Sequence, residues 1–72
     1  SMRSLLVLGS TGSIGVQTLD VVRAAAGRFG VCGLAARSSW RELAAQAREF
    51  SPRLVALEDS EHASELRALL PG

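Results

Sequence analysis

The residues best suited to chemistry lie near the amino terminus, in Leu8-Gly9-Ser10-Thr11-Gly12-Ser13-Ile14-Gly15. Three glycines stand at every third position there, and small polar residues fill most of the gaps. Glycine tolerates positive φ and lets another group approach the backbone, while the first turn of a helix offers unpaired N–H groups and the positive end of its dipole. A turn of this make suits phosphate if a strand enters it and a helix leaves it. Gly9 is expected to make the tight turn, Gly12 to admit a pyrophosphate to the backbone, and Gly15 to let the helix pack on the strand. Thr11 and Ser13 add hydroxyl donors. The plainer reading is a glycine-rich turn that only packs.

A second cluster follows at Ala35-Ala36-Arg37-Ser38-Ser39, with no acid before Glu42. At the end of the second strand, an NAD-binding domain places an acid on the ribose 2′-hydroxyl, whereas an NADP-binding domain supplies positive charge. Arg37 offers a planar fork of donors to a phosphate, Ser38 and Ser39 offer hydroxyls, and the following helix start adds its dipole. The expected cofactor is therefore NADPH. The plain alternative makes Arg37 a solvated side chain and Ser39 a helix cap.

The remaining polar candidates read as structural. His62 has no second ligand at metal spacing, so no metal site is assigned in this segment. Asp20 reads as a solvated or helix-pairing acid, and Glu58 and Asp59 as caps of the next helix. Trp40 reads as a packing residue. Cys32 reads as core packing in a buried strand, which suits a reducing compartment.

The elements that must position the two clusters follow from the apolar pattern. A strand over Arg3 to Gly9 leads to a helix over about Ser13 to Ala26, with Ile14, Thr18, Val21, Val22 and Ala25 on its inward face and Gly27 as its carboxyl cap. Phe29 to Ala35 is the second strand. A capping box of Ser39 and Glu42 opens a second helix, which turns Trp40, Leu43, Ala44 and Ala47 inward and stops at Ser51-Pro52. Arg53 to Leu57 is the third strand. Asp59 or Ser60 caps a third helix carrying Ala63, Leu66, Leu69 and Leu70, which Pro71-Gly72 stops.

The order βαβαβα with short connections predicts an α/β fold, a Rossmann-like doubly wound parallel sheet of which one half is present. Residues 2–72 read as the amino-terminal part of a longer cofactor-binding domain, since a three-strand half-sheet leaves an edge where a second half would pair. Ser1 ahead of Met2 reads as a residue left by tag removal.

At 72 residues the chain holds one small core. Apolar residues make up 47% and charged residues 21%, which fits a folded segment rather than a disordered one. Eight arginines against seven acids leave a net charge of +1 without a basic block, so neither nucleic acid nor an anionic membrane is an expected partner. The absence of a long apolar run or a signal-peptide pattern makes the cytoplasm the expected location.

With these residues placed, the chain resembles a known family. "LGSTGSIGVQTLDVV", followed about thirty residues later by "FSPRLVALED", is similar to the amino-terminal region of 1-deoxy-D-xylulose 5-phosphate reductoisomerases. The resemblance implies an enzyme of non-mevalonate isoprenoid biosynthesis. Such an enzyme rearranges 1-deoxy-D-xylulose 5-phosphate and reduces the intermediate with NADPH to 2-C-methyl-D-erythritol 4-phosphate, using Mg2+ or Mn2+. It further implies cofactor contacts at Thr11, Gly12, Ser13 and Ile14 and at Arg37, Ser38 and Ser39, and a homodimer for the intact protein. The catalytic groups, metal ligands and sugar-phosphate site are expected beyond Gly72, so this segment alone is not expected to be active. The second cluster departs from the family, which commonly has Gly, then often a basic residue, then Asn, where this chain has Arg37, Ser38 and Ser39. A divergent reductase or epimerase acting on another phosphorylated substrate, or a non-catalytic dinucleotide-binding module, are the competing readings.

Overall fold

Arg3–Leu8 forms strand β1 of the computed structural model, which describes residues 3–70. The chain continues through helix α1 (Ser13–Ala24), strand β2 (Phe29–Ala36), helix α2 (Trp40–Phe50) and strand β3 (Leu54–Leu57). A 3-10 turn over Ser60–His62 then leads into the short helix α3 (Ala63–Leu69). The expected stop at Pro71-Gly72 and the reading of Ser1 and Met2 lie outside the described residues.

The strands pair in parallel in the order β1-β2-β3, the arrangement expected of half a doubly wound sheet. The β1-β2 register slips between Leu5 and Leu6: Leu5 pairs with Val31 and Leu6 with Gly33. Cys32 is the residue left over. Expected to be buried, it is half-buried at this irregularity, with Sγ 3.3 Å from the Leu5 carbonyl.

The helices build one core. Val7, Val31 and Leu34 from the sheet meet Leu19 and Val22 of α1, Leu43, Ala44 and Ala47 of α2, and Leu66 of α3. Leu19, Leu34 and Leu43 are fully enclosed, and burying each stabilises the fold by roughly 1.5–3 kcal/mol. Leu6, Leu8 and Leu54, whose register turns them to the other side of the sheet, stay exposed. No helix among the described residues covers that second face.

The inward face of α1 is only partly the expected one. Gly15, Leu19 and Val22 are buried, whereas Ile14 is 79% exposed and Val21 61% exposed. The buried stripe runs through Gly15, which seats the helix on the turn as expected, and through Leu19, which a spacing counted from Ile14 leaves out. The helix also ends at Ala24, with Ala25 as its cap. The chain then turns through Ala25 to Arg28, closed by Arg28 N–H on the Ala25 carbonyl at 2.9 Å, with Gly27 in that turn and not at the cap.

Further local expectations change, while the expected stop of α2 at Ser51-Pro52 holds. Ser39 stands at the amino end of α2, but its hydroxyl makes no cap hydrogen bond. Its φ of −77° and ψ of 68° depart from the extended conformation that aims a capping oxygen at the first turn. Ser51 follows α2 in the left-handed conformation, φ +49°, with its N–H on the Ala47 carbonyl at 2.8 Å, a conformation that closes helices, and Pro52 keeps the helix from continuing. Asp59 caps as expected, its Oδ1 accepting from Glu61 N–H at 3.0 Å, but over the 3-10 turn. Glu58 caps nothing among the described residues and lies beside Arg37 instead.

Candidate dinucleotide site

The strand-to-helix turn is held on three sides. Gly9 has a φ of +65°, which turns the chain sharply out of β1. Ser10 is completely buried; its N–H donates to the Ala35 carbonyl at 2.9 Å, and its own carbonyl accepts from Gln46 Nε2 at 2.8 Å. Gly15 lies against the turn so closely that a Cβ there would stand 2.6 Å from Ser10 Cα and inside contact distance of the Gly9 carbonyl oxygen. The turn is thereby fixed to β2, to α2 and to the start of α1.

Gly12 precedes α1 with an extended φ of −79° and ψ of 174° and donates its N–H to the Gly9 carbonyl at 3.0 Å. The first helical bond runs from Val16 N–H to the Gly12 carbonyl at 2.9 Å. The N–H groups of Ser13, Ile14 and Gly15 are the orphan donors of a helix start, and no carboxylate stands in the first turn to occupy them. Gly12, Ser13 and Ile14 are exposed, and Thr11 is half-buried. Gly12 brings no side chain to this approach, which fits an anion that must come close to the backbone.

The second cluster lies across the carboxyl ends of the strands. Glu58 N–H donates to the Ala36 carbonyl at 2.9 Å, and Asp59 N–H to the Arg37 carbonyl at 2.8 Å, so the ends of β2 and β3 are laced together. A groove of about 410 Å³ opens there between Leu8 and Gly9 on one side, Ala35 to Arg37 in the middle, and Ala56 to Glu58 on the other. In an open α/β sheet this is the end at which ligands bind. Arg37 and Ser38 are exposed and Ser39 is half-buried. The Arg37 side chain is 84% exposed, with Nε 3.8 Å from Glu58 Oε2, a pairing that contributes about 0–1 kcal/mol and leaves the guanidinium free to exchange partners.

The other polar candidates stand away from this groove. Asp20 pairs with Arg23 one turn along α1, at 2.7 Å. Arg23 also forms a two-pronged bond to Glu49 of α2, at 2.5 and 2.6 Å, and its guanidinium lies 5.1 Å from the Phe50 ring. The hydrogen bond to Arg23 holds the Glu49 carboxyl below the usual range, and the same bond raises Arg23. His62 stacks on Trp40 with ring centroids 5.5 Å apart, and its Nδ1 meets Glu65 at 2.5 Å, which raises the imidazole pKa. Trp40 packs against the core. No cluster of three or more His, Cys, Asp or Glu among the described residues could hold a metal ion. No helix there is long and apolar enough to cross a membrane.

Sequence reasoning did not single out Ser10 or Gln46. The available signal was a lone amide on the inward side of α2, flanked in helical spacing by the buried Leu43 and Ala47.

Comparison with known proteins places the chain among relatives of one kind. The family model described as 1-deoxy-D-xylulose 5-phosphate reductoisomerase matches residues 5–72. Proteins of that name from Chlorobium phaeobacteroides and Chlorobium chlorochromatii are each 52% identical over 69 residues, covering 96% of this chain and 18% of theirs. One from a Thermoanaerobacter species is 46% identical over 66 residues, covering 92% of this chain and 17% of its own. A crystal structure described as DOX-P reductoisomerase in complex with magnesium superposes with a TM-score of 0.86 at 32% identity, over 94% of this chain and 17% of that one. The chain thus spans less than a fifth of the length of the curated relatives it matches.

Proposed function

This chain belongs to the 1-deoxy-D-xylulose 5-phosphate reductoisomerase family, and from that premise we propose that it forms the NADPH-binding part of an enzyme converting 1-deoxy-D-xylulose 5-phosphate to 2-C-methyl-D-erythritol 4-phosphate. The observation that carries the cofactor reading is the seat of Gly15 on the Ser10 backbone, which sets the open start of α1 beside the groove at the strand ends. Thr11, Gly12, Ser13 and Ile14 would hold the pyrophosphate through backbone N–H groups and hydroxyls, where the helix dipole favours negative charge. Arg37, Ser38 and Ser39 would hold the 2′-phosphate, Arg37 giving up Glu58 for a doubly charged partner. When bound, NADPH supplies the hydride for the reduction and a divalent cation supplies charge for the rearrangement. The cation ligands, the sugar-phosphate site and any dimer contacts belong, in this reading, to the rest of the protein.

Calorimetric titration of the full-length protein tests the assignment. NADPH is expected to bind tighter than NADH by tenfold or more, about 1.4 kcal/mol, which one charge-assisted phosphate contact can supply. The full-length protein is expected to consume NADPH only when deoxyxylulose phosphate and Mg2+ or Mn2+ are both present. Binding of neither dinucleotide would sink the cofactor reading. Binding without turnover of that substrate would sink the substrate assignment alone.

A further inference from the structure

Resting on that cofactor reading, we propose that Gln46 is a positioning residue for the dinucleotide, acting through the Ser10 carbonyl to aim the backbone of the phosphate turn. Its Nε2 lies 2.8 Å from that carbonyl oxygen. A carbonyl oxygen only accepts, so the amide orientation is unambiguous: nitrogen faces the turn and Oε1 faces away. The Ser10 N–H is tied to Ala35 O on β2. The peptide planes before and after Ser10 are thus both anchored, one by a strand and one by a helix side chain.

The consequence lies in the next donor. In a planar trans peptide the C=O and the following N–H point in opposite directions. A Ser10 carbonyl drawn toward α2 therefore turns the Thr11 N–H away from α2. That N–H finds no acceptor among the described residues. It stands one residue before Gly12, in the turn where the pyrophosphate is expected, and a free rotation of this peptide would swing a carbonyl oxygen toward the anion instead.

The arrangement burdens stability in a way that packing alone does not explain. Gln46 Oε1 and Ser10 Oγ are both buried without a hydrogen-bond partner, and buried polar groups are ordinarily paired. A methionine would fill the space beside Leu43 and Ala47 without burying an unpaired Oε1. The amide supplies what methionine lacks, an N–H donor for the turn.

The test compares the full-length protein with its Gln46→Met variant, which keeps side-chain length and removes the donor. With matched circular dichroism spectra, the Kd values for NADPH and NADH should both rise about tenfold, the loss of one hydrogen bond to a charged group. The ratio between the two cofactors should not change, because the pyrophosphate is common to both. In turnover, KM for NADPH should rise while kcat stays within about twofold. Should Gln46→Met fail to fold, Gln46→Asn carries the same test, withdrawing the donor by one methylene while keeping an amide. Folded variants with wild-type Kd values, or a loss confined to NADPH, overturn the inference. A wild-type protein that binds neither dinucleotide overturns the cofactor reading beneath it as well.

Discussion

Replacing Gly15 by alanine probes the contact on which the geometry of the phosphate turn depends. The added Cβ would stand 2.6 Å from Ser10 Cα and 2.8 Å from the Ser10 carbonyl carbon, whereas carbon atoms settle at about 3.5–4.0 Å. The shortfall is roughly 1 Å on that scale, and every atom it meets belongs to the backbone. The turn cannot recede, because Ser10 is bonded to Ala35 and Gln46, so α1 must lift away from the sheet and loosen Leu19 and Val22. Overpacking of this kind costs about 1–3 kcal/mol, while alanine returns up to about 1 kcal/mol of helix propensity. A net destabilisation of about 1–2 kcal/mol is expected, with Ser13 and Ile14 N–H displaced from the phosphate and NADPH affinity lowered tenfold or more. Thermal melting and calorimetric titration of the full-length variant check both halves. A variant that melts no lower than wild type and binds NADPH equally well would refute the argument that helix and turn are in backbone contact.

Three other outcomes follow from the same geometry. Arg37→Ala should weaken NADPH about tenfold and NADH little, read by paired titrations; an equal loss for both would mean that Arg37 does not read the 2′-phosphate. Ser10→Ala removes a buried hydroxyl without a partner while leaving both backbone bonds, so stability should hold or rise by about 1 kcal/mol. A loss of that size in denaturant titration would mean the hydroxyl has a partner after all. The Glu49 carboxyl is held low by its hydrogen bond to Arg23, so its contribution to stability is present above its unfolded pKa and is lost as pH falls through the lowered folded value. Melting temperatures of wild type and Glu49→Gln should therefore converge in acid, and curves that stay parallel would contradict the pairing.

The strand, turn and helix order was readable because each element carries its own period, because Gly9 can take the positive φ that a sharp turn needs, and because Pro52 bars a helix from continuing. The inward face of α1 was legible only in part, in Val22 and in the seat expected of Gly15, since a spacing counted from Ile14 passes by Leu19. The Ser39-Glu42 spacing satisfies the capping pattern, but the dihedral angles of Ser39 keep its hydroxyl from the first turn; that property is set by how β2 delivers the chain into α2. Both expected clusters lie at the carboxyl ends of the strands. Gln46 was hidden because its partner is a main-chain carbonyl thirty-six positions away, and no side-chain pattern records such a pairing.

Arg23 and Glu49 lie near the carboxyl ends of α1 and α2, while the proposed pyrophosphate and 2′-phosphate cradles lie at the opposite ends of the same two helices. Joined there, the helices are arranged like the arms of a caliper, with the ion pair at the hinge and the two proposed anion sites at the jaws. For the proposed ligand, the opening between the jaws would have to match a fixed length, the reach from the pyrophosphate to the ribose 2′-position. Because the hinge is exposed and charged, salt weakens it. A dinucleotide held as proposed would therefore meet high ionic strength twice, in the screening of its phosphates and in the weakening of the ion pair that joins the far ends of the two helices.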